Sequence, residues 1–419
     1  MALINKYLPV PKWSFWKRIT VFLAILGPGI ITGSVDNDAG GITTYSVAGA
    51  VYGYNMLWTL VPSFILLIII QEMNARMGIV TGKGLANLIR ESAGVRITFY
   101  ITVGLFVANI GNTTTEFAGV AGSGEVFGIS KYLTVPIVAI GVWFLVVKGN
   151  YKIAERVFLV FSVSLFIYIV SALMGNPEWG EIGHAMIKPQ FTPNLASVAI
   201  IIGIVGTTIA PWMQFYMQAS VIEKGLKIKD LKYSIIDVIV GCVATVVVAF
   251  FIIVACAATL NKSGVTINEA KDAALALQPL AGQFAGALFA FGLFIASIFS
   301  ATILPLATAF YICEAMGFEA GIDKKWNEAN EFFIIYTSMI VISAGIILVP
   351  NIPLIKISLW SQVLNGVLLP VVLFYMIILI NKKSLMGKYT NKLYQNVIGW
   401  AAVIILVILS LSLLIFPLF

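Results

Sequence analysis

Asp36 and Asp38 stand two residues apart in Gly33-Ser34-Val35-Asp36-Asn37-Asp38-Ala39-Gly40-Gly41, a polar, glycine-rich stretch that interrupts the first long apolar run of the chain. A carboxylate held in hydrocarbon costs about 2.5–3.5 kcal/mol on insertion scales, so it persists only beside a partner or a wet cavity. Spans one to nine carry no Lys or Arg at that depth to serve as the partner. A transported cation fills the role. The competing role is local, since a carboxylate at the start of a half-helix satisfies free backbone N–H groups. Asp38 reads first as an ion ligand. For Asp36 capping competes more strongly, and Asn37 between them belongs to the cavity wall.

A second interruption, Gly206-Thr207-Thr208-Ile209-Ala210-Pro211-Trp212, falls inside another long apolar run. Proline removes a helical hydrogen bond and clashes with the preceding turn, and paired glycines and Asx residues favour leaving the helix. Backbone freed at this depth is tolerated only where it lines a cavity or is buried in protein. Thr207 and Thr208 are expected to bond the freed carbonyls while their own main-chain oxygens face the ion. Gln362 and Asn365, three residues apart, share a helix face and offer oxygen either to an ion with its water shell or to an interhelical hydrogen bond. Asn109, Asn112 and Glu116 follow one face of their span, as a wetted cavity wall or as polar packing.

The elements that must position these groups are membrane helices. Of 419 residues, 60% are hydrophobic and 11% charged, which excludes an ordinary soluble domain. Apolar runs of bilayer length are read near 20–50, 55–75, 97–125, 132–148, 155–174, 195–220, 235–259, 281–315, 332–350, 352–380 and 396–417. The expected fold is an all-α integral membrane protein of about eleven transmembrane helices, one polytopic domain over 1–419. The breaks fall in spans one and six, which are equivalent if spans one to five and six to ten are inverted halves. Interrupted helices at corresponding positions of two such halves mark a secondary transporter's binding site. The halves are read as roughly 18–175 and 194–382, with an extra helix at 396–417.

The net charge of +7 is topology rather than affinity for nucleic acid. With the N-terminus cytoplasmic, 21 basic residues fall in inner loops, from Lys6, Lys12, Lys17 and Arg18 to Lys382, Lys383, Lys388 and Lys392. Outside are Lys131, Lys188, Lys262 and Lys271, with Lys356 near an outer end. The positive-inside rule then gives N-terminus in and C-terminus out, in a prokaryotic cell membrane. Cys242, Cys256 and Cys313 all lie in spans without metal-ligand spacing. The start of the chain has no cleavable-signal pattern. No catalytic motif is present, so no enzyme is expected, and no cofactor. Partners are a divalent cation and the bilayer, for a monomer. Asp237 and Glu314, close to inner loops, are expected to be solvated or paired with lysines. Gly292, Ala296 and Ser300 read as a close-packing face, and Trp13, Trp16, Tyr132 and Trp179 as interfacial anchors.

Several stretches resemble the Nramp divalent-metal transporters. Gly27-Pro28-Gly29 followed by Asp38-Ala39-Gly40-Gly41 is similar to their first helix, which reads Asp-Pro-Gly-Asn at the break. Gly206 through Trp212 resembles their sixth, Gly-Ala-Thr-Val-Met-Pro-His. Thr115-Glu116-Phe117, Glu314-Ala315-Met316-Gly317-Phe318, Trp360-Ser361-Gln362-Val363 and Leu369-Pro370 resemble the third, eighth and tenth. The resemblance implies a five-plus-five inverted-repeat fold of the LeuT type, with helices one and six broken. It also implies metal ligands at Asp38, at the Asn position and at the Met position.

The departures bear on the ion. Gly41 stands at the Asn position and Ala210 at the Met position. A thioether favours transition metals, and its loss leaves carboxylate, carbonyl oxygen and water. Mg²⁺ suits that set because it sheds water reluctantly, and the resemblance is closest to the Nramp-related magnesium branch. Mn²⁺ is the second candidate ion. Trp212 and Met217 stand where the family's sixth helix has histidines, Thr113 replaces an acidic residue of the third, and the single His184 is read as a loop residue. Uptake is therefore expected to be driven by voltage rather than protons: two charges crossing 100 mV gain roughly 4.6 kcal/mol. The alternatives are a proton-coupled Mn²⁺/Fe²⁺ importer and a cation-coupled organic-solute transporter. Two neighbouring aspartates would repel a carboxylate substrate of the latter kind.

Overall fold

The computed structural model describes residues 27–148, 167–174, 176–190, 194–262, 264, 267, 283–350, 352 and 354–415. Lys6, Lys12, Lys17, Arg18, Trp13, Trp16, Lys152, Arg156, Lys271 and most of span five lie outside them. The described elements are helical throughout. In order they are α1 (Pro28–Val35), α2 (Ala39–Tyr52), α3 (Leu60–Thr81), α4 (Leu85–Ala93), α5 (Val95–Val126), α6 (Lys131–Val147), α7 (Ile167–Met174) and α8 (Trp179–Ile187). They continue with α9 (Leu195–Thr208), α10 (Pro211–Glu223), α11 (Leu231–Cys256), α12 (Gln283–Met316), α13 (Asn330–Leu348), α14 (Leu354–Asn381) and α15 (Leu393–Ile415).

Eight stretches among the described residues are long and apolar enough to cross a bilayer. Three of the eleven expected spans are not separate among these: residues Ala39–Thr81 run on without a gap through the second half of span one and all of span two, α6 has 17 residues, and most of span five lies outside the described residues. The two short helices α4 and α8 are surface elements that hydropathy alone does not separate from their neighbours. In α4, Leu85, Leu88 and Ile89 are buried while Glu91 is exposed. The bundle's outer faces carry exposed Ile137, Ile140, Val341, Ile404 and Ile408, the surface expected where the surrounding solvent is lipid.

Both breaks are present. Helix α1 ends at Val35 and α2 begins at Ala39, while α9 ends at Thr208 and α10 begins at Pro211. Proline at the first helical position is well suited to restart a helix, because its missing N–H has no partner there anyway.

Helix α1 is bolted to α11. A methyl group added at Gly29 would sit 2.5 Å from the Val238 amide nitrogen, and one at Gly33 2.9 Å from the Gly241 carbonyl. Small residues four apart let two membrane helices approach to backbone contact. Asp237 completes the joint. Its carboxylate accepts hydrogen bonds from the backbone N–H groups of Gly27 (3.1 Å), Gly29 (2.6 Å) and Ile30 (3.3 Å). The expectation of a solvated or lysine-paired Asp237 is thus corrected: it is fully buried and caps the first turn of another helix. Because Asp237→Ala leaves three buried donors without their charged acceptor, stability is expected to fall by about 1.5–3 kcal/mol. A lower thermal unfolding midpoint in detergent, unmatched by the neighbouring exposed variant Ile239→Ala, checks this.

Glu314 is corrected in the same sense. Its carboxylate fills the space beside Gly84 and accepts from the Ala86 N–H, at the start of α4, while Oε2 has no hydrogen-bond partner. The small-residue face of α12 packs as expected: Ser300 donates to the Val35 carbonyl (3.3 Å), and a methyl at Gly119 would collide with Ser297 and Ala39.

Candidate cation site at the two helix breaks

The first break gives its residues distinct tasks. Asp38 is the N-cap of α2, extended at φ −73° and ψ 177°, and its Oδ1 accepts the Gly41 N–H at 2.5 Å. Glu116 reaches in from α5, its Oε2 accepting the Ala39 N–H at 3.0 Å. Asp38 and Glu116 thus hold neighbouring N–H groups at the start of α2, with Glu116 Oε1 left without a hydrogen-bond partner, and two carboxyl groups brought to one helix start favour a proton or a cation near them. The capping role weighed mainly for Asp36 therefore belongs to Asp38. Asp36, at the carbonyl end of α1, has both side-chain oxygens buried without a hydrogen-bond partner.

The second break supplies neutral oxygen. Pro211 has no N–H for the Thr207 carbonyl four residues earlier, so that oxygen is left over where α9 stops. Thr207 also brings its hydroxyl to the site: a methyl at Gly41 would sit 2.9 Å from Thr207 Oγ1, 2.6 Å from the Asp36 carbonyl and 3.3 Å from Asp38 Oδ1. The space beside Gly41 is thus ringed by a carboxylate, a main-chain oxygen and a hydroxyl. Gln362 from α14 enters from the next residue, its amide against Gly40. Thr208 turns the other way, donating its hydroxyl proton to the Ile204 carbonyl at 2.7 Å and accepting from the Tyr45 hydroxyl at 2.8 Å. The Ala210 carbonyl accepts from Met213 N–H and from Gln214 Nε2, both at 3.1 Å.

The amides expected along spans three and ten form one buried network. Asn112 donates to Asn109 (3.1 Å) and Asn365 (3.2 Å), and accepts from Asn365 (3.1 Å) and Gln362 (3.4 Å). Asn109 passes the chain on to Thr308 of α12 at 2.9 Å. Interhelical bonding therefore occupies Asn109, Asn112 and Asn365, and Gln362 joins the network to the break. Trp212 is buried beside Tyr216, ring centroids 6.4 Å apart. The thioethers of Met213 and Met217 accept from Gln71 (3.9 Å) and Thr32 (3.6 Å).

Sequence reasoning missed Thr245, Tyr45 and Ser300 as partners of the breaks. Thr245 Oγ1 donates to the Gly33 carbonyl at 2.5 Å, and its own carbonyl accepts from Asn37 at 3.2 Å. The available signal was helical spacing, Tyr45 lying two turns after Asp38 and Thr245 about two turns after Asp237.

The electrostatics are one-sided. Arg76 is the one buried basic side chain among the described residues, and it is paired at 2.9 Å with Glu72 at the far end of α3. No three His, Cys, Asp or Glu side chains among the described residues converge as a metal cage. The donor set around Gly41 is hard: carboxylate, carbonyl and hydroxyl oxygen. A separate cavity of about 690 Å³, lined by Tyr52, Glu178, His184 and Lys262, lies the length of α2 away, roughly 20 Å. There the exposed Glu178–Lys262 pair draws Glu178 below its usual range and Lys262 above.

The family model described as natural resistance-associated macrophage protein-like matches residues 29–416. The chain is 26% identical over 400 residues to the divalent metal cation transporter MntH of Yersinia pestis (strain Pestoides F), covering 94% of this chain and 95% of that one. A crystal structure of the Eremococcus coleocola manganese transporter, in complex with an aromatic bis-isothiourea substituted compound, superposes with a TM-score of 0.75. It is 22% identical and covers 98% of this chain and 89% of that one. MhsT in complex with L-phenylalanine shares the fold at TM-score 0.57 and 14% identity, covering 92% and 97%. The architecture is the LeuT-type membrane fold with helices one and six broken. The match runs through both breaks and on into α15, and the chain belongs to the Nramp family.

Proposed function

We propose that the protein is a secondary transporter that carries divalent cations, Mg²⁺ above all, as a partly hydrated ion through the site between the two breaks. The observation that carries this reading is the ring of Asp38 Oδ1, the Asp36 carbonyl and Thr207 Oγ1 around Gly41, with no thioether or imidazole among them. Such oxygen-only sets with room for water match a small ion that dehydrates reluctantly. Asp38, Asp36, Thr207, Gln362 and the spaces at Gly41 and Ala210 form the site. Asn37, Glu116, Asn112, Asn109, Asn365 and Trp212 make its wall. The protein works as a monomer in a cell membrane with its N-terminus inside, its two inverted halves spanning about 18–175 and 194–382. Inward movement follows the membrane potential, worth roughly 2.3 kcal/mol per charge per 100 mV, and needs no proton.

The relatives' names favour a second reading: MntH is a divalent metal cation transporter, and the superposed structure is a manganese transporter. On that reading the chain is a proton-coupled importer of Mn²⁺ or Fe²⁺. Proteoliposome flux separates the two. Mg²⁺ uptake that rises with an inside-negative potential and leaves lumenal pH unchanged is expected. Mn²⁺ uptake without Mg²⁺ uptake, or acidification in step with metal entry, would reverse the choice.

A further inference from the structure

The geometry points to Asp36 and Asn37 as an oxygen pair that contacts the cation from the α11 side of the first break and sets the preference for hard ions. This rests on the reading of the breaks as a divalent-cation site and adds to it a determinant of specificity.

Three side-chain oxygens on two consecutive residues carry the inference. Asp36 Oδ1, Asp36 Oδ2 and Asn37 Oδ1 are buried with no hydrogen-bond partner, on residues each 1% exposed. Buried carboxylate and amide oxygens are ordinarily satisfied, because a bare one loses its hydration with nothing in return, and most of all when it is charged. The other two carboxyl groups at this level each hold a backbone N–H, although Glu116 keeps one bare oxygen, Oε1. Asp38 holds Gly41 N–H, Glu116 holds Ala39 N–H, and both sit at the amino end of α2, where the helix dipole offsets negative charge. Asp36 lies at the carbonyl end of α1, where the dipole adds to its charge. It also faces the Asp38 charge across the break. Of the three, it is the carboxylate with most to gain from a cation.

Asn37 explains how the pair is held. Its Nδ2 donates to the Thr245 carbonyl at 3.2 Å, which turns the amide toward α11 and fixes the bare Oδ1 as an acceptor. Asp36 lies on the same side, close enough to α11 for its charge to act on Cys242. Asp36 closes α1 and Asp38 opens α2, so the two carboxylates belong to different helix ends on either side of Asn37. Two carboxylates on separate sides balance a doubly charged ion, and an amide oxygen adds a hard donor that Mg²⁺ accepts and soft metals gain little from.

The test uses the full-length protein in proteoliposomes, with Mg²⁺ and Cd²⁺ as probes and Asp36→Asn, Asp36→Glu, Asn37→Leu and Asp38→Asn as variants. Asp36→Asn is expected to weaken half-saturating Mg²⁺ at least 10-fold and Cd²⁺ by less, with Asp36→Glu recovering part of the Mg²⁺ loss. Asn37→Leu is expected to shift the Mg²⁺/Cd²⁺ ratio in the same direction by a few-fold. Unchanged Mg²⁺ saturation in Asp36→Asn while Asp38→Asn is inactive would overturn the inference and leave the site standing. Unchanged transport in Asp38→Asn as well would overturn the site itself. A monodisperse gel-filtration peak and an unshifted melting midpoint for Asp36→Asn separate loss of ion contact from loss of fold, and equal losses for both ions would also overturn the claim of specificity.

Discussion

Replacing Asp38 by asparagine is expected to give a folded protein that no longer moves divalent cations. The two jobs of this side chain are separable. As the N-cap of α2 it accepts the Gly41 N–H at 2.5 Å, and asparagine caps a helix about as well as aspartate. As the proposed ligand it is the charged group of the oxygens beside Gly41 and Thr207. Breaking a buried charge pair costs about 3–5 kcal/mol; at about 1.4 kcal/mol per decade, uptake should fall on the order of 100-fold or more. Asp38→Ala removes the cap as well, so it should lose stability by about a further 1 kcal/mol. Initial Mg²⁺ and Mn²⁺ flux beside thermal melts of both variants checks the pair. Asn-variant flux near wild type would remove Asp38 from the ion's path.

The double change Gly41→Asn with Ala210→Met is expected to turn the site toward transition metals. At position 41 the new Cβ would stand 2.6 Å from the Asp36 carbonyl and 2.9 Å from Thr207 Oγ1, so asparagine pushes these two oxygens aside and puts its own amide where they converge. Methionine at 210, now a buried alanine, brings a polarisable sulfur that selects for softer metals. Mg²⁺ uptake should drop at least 10-fold and Cd²⁺ or Mn²⁺ should compete more strongly. Gly41→Asn alone should lose Mg²⁺ uptake without the gain. The Mg²⁺ flux remaining under equimolar Cd²⁺ is the measurement, and a ratio equal to wild type in the double variant would show that these two positions do not select the ion.

The sequence by itself determined that this is a membrane protein, where its helices break, and which family it resembles. Those properties are written in one dimension. Twenty-residue apolar runs leave the chain few options in a bilayer, and Pro211 or the Asp36–Gly41 stretch interrupts a helix whatever surrounds it. Tertiary structure decided what each polar residue does, because a buried donor or acceptor is defined by the partner it finds. Asp237 looked like an inner-surface acid until α1 presented three free N–H groups to it. Asn109, Asn112 and Asn365 read either as cavity wall or as interhelical polar packing, and the crossing of α5, α12 and α14 tied them together by hydrogen bonds. At the first break the sequence placed two aspartates side by side, and only the folding of α2 onto Asp38 distinguished the capped carboxylate from the bare one. Capping depends on which residue the backbone leaves extended at a helix start, a choice that packing against α5 and α11 makes and that residue type alone does not.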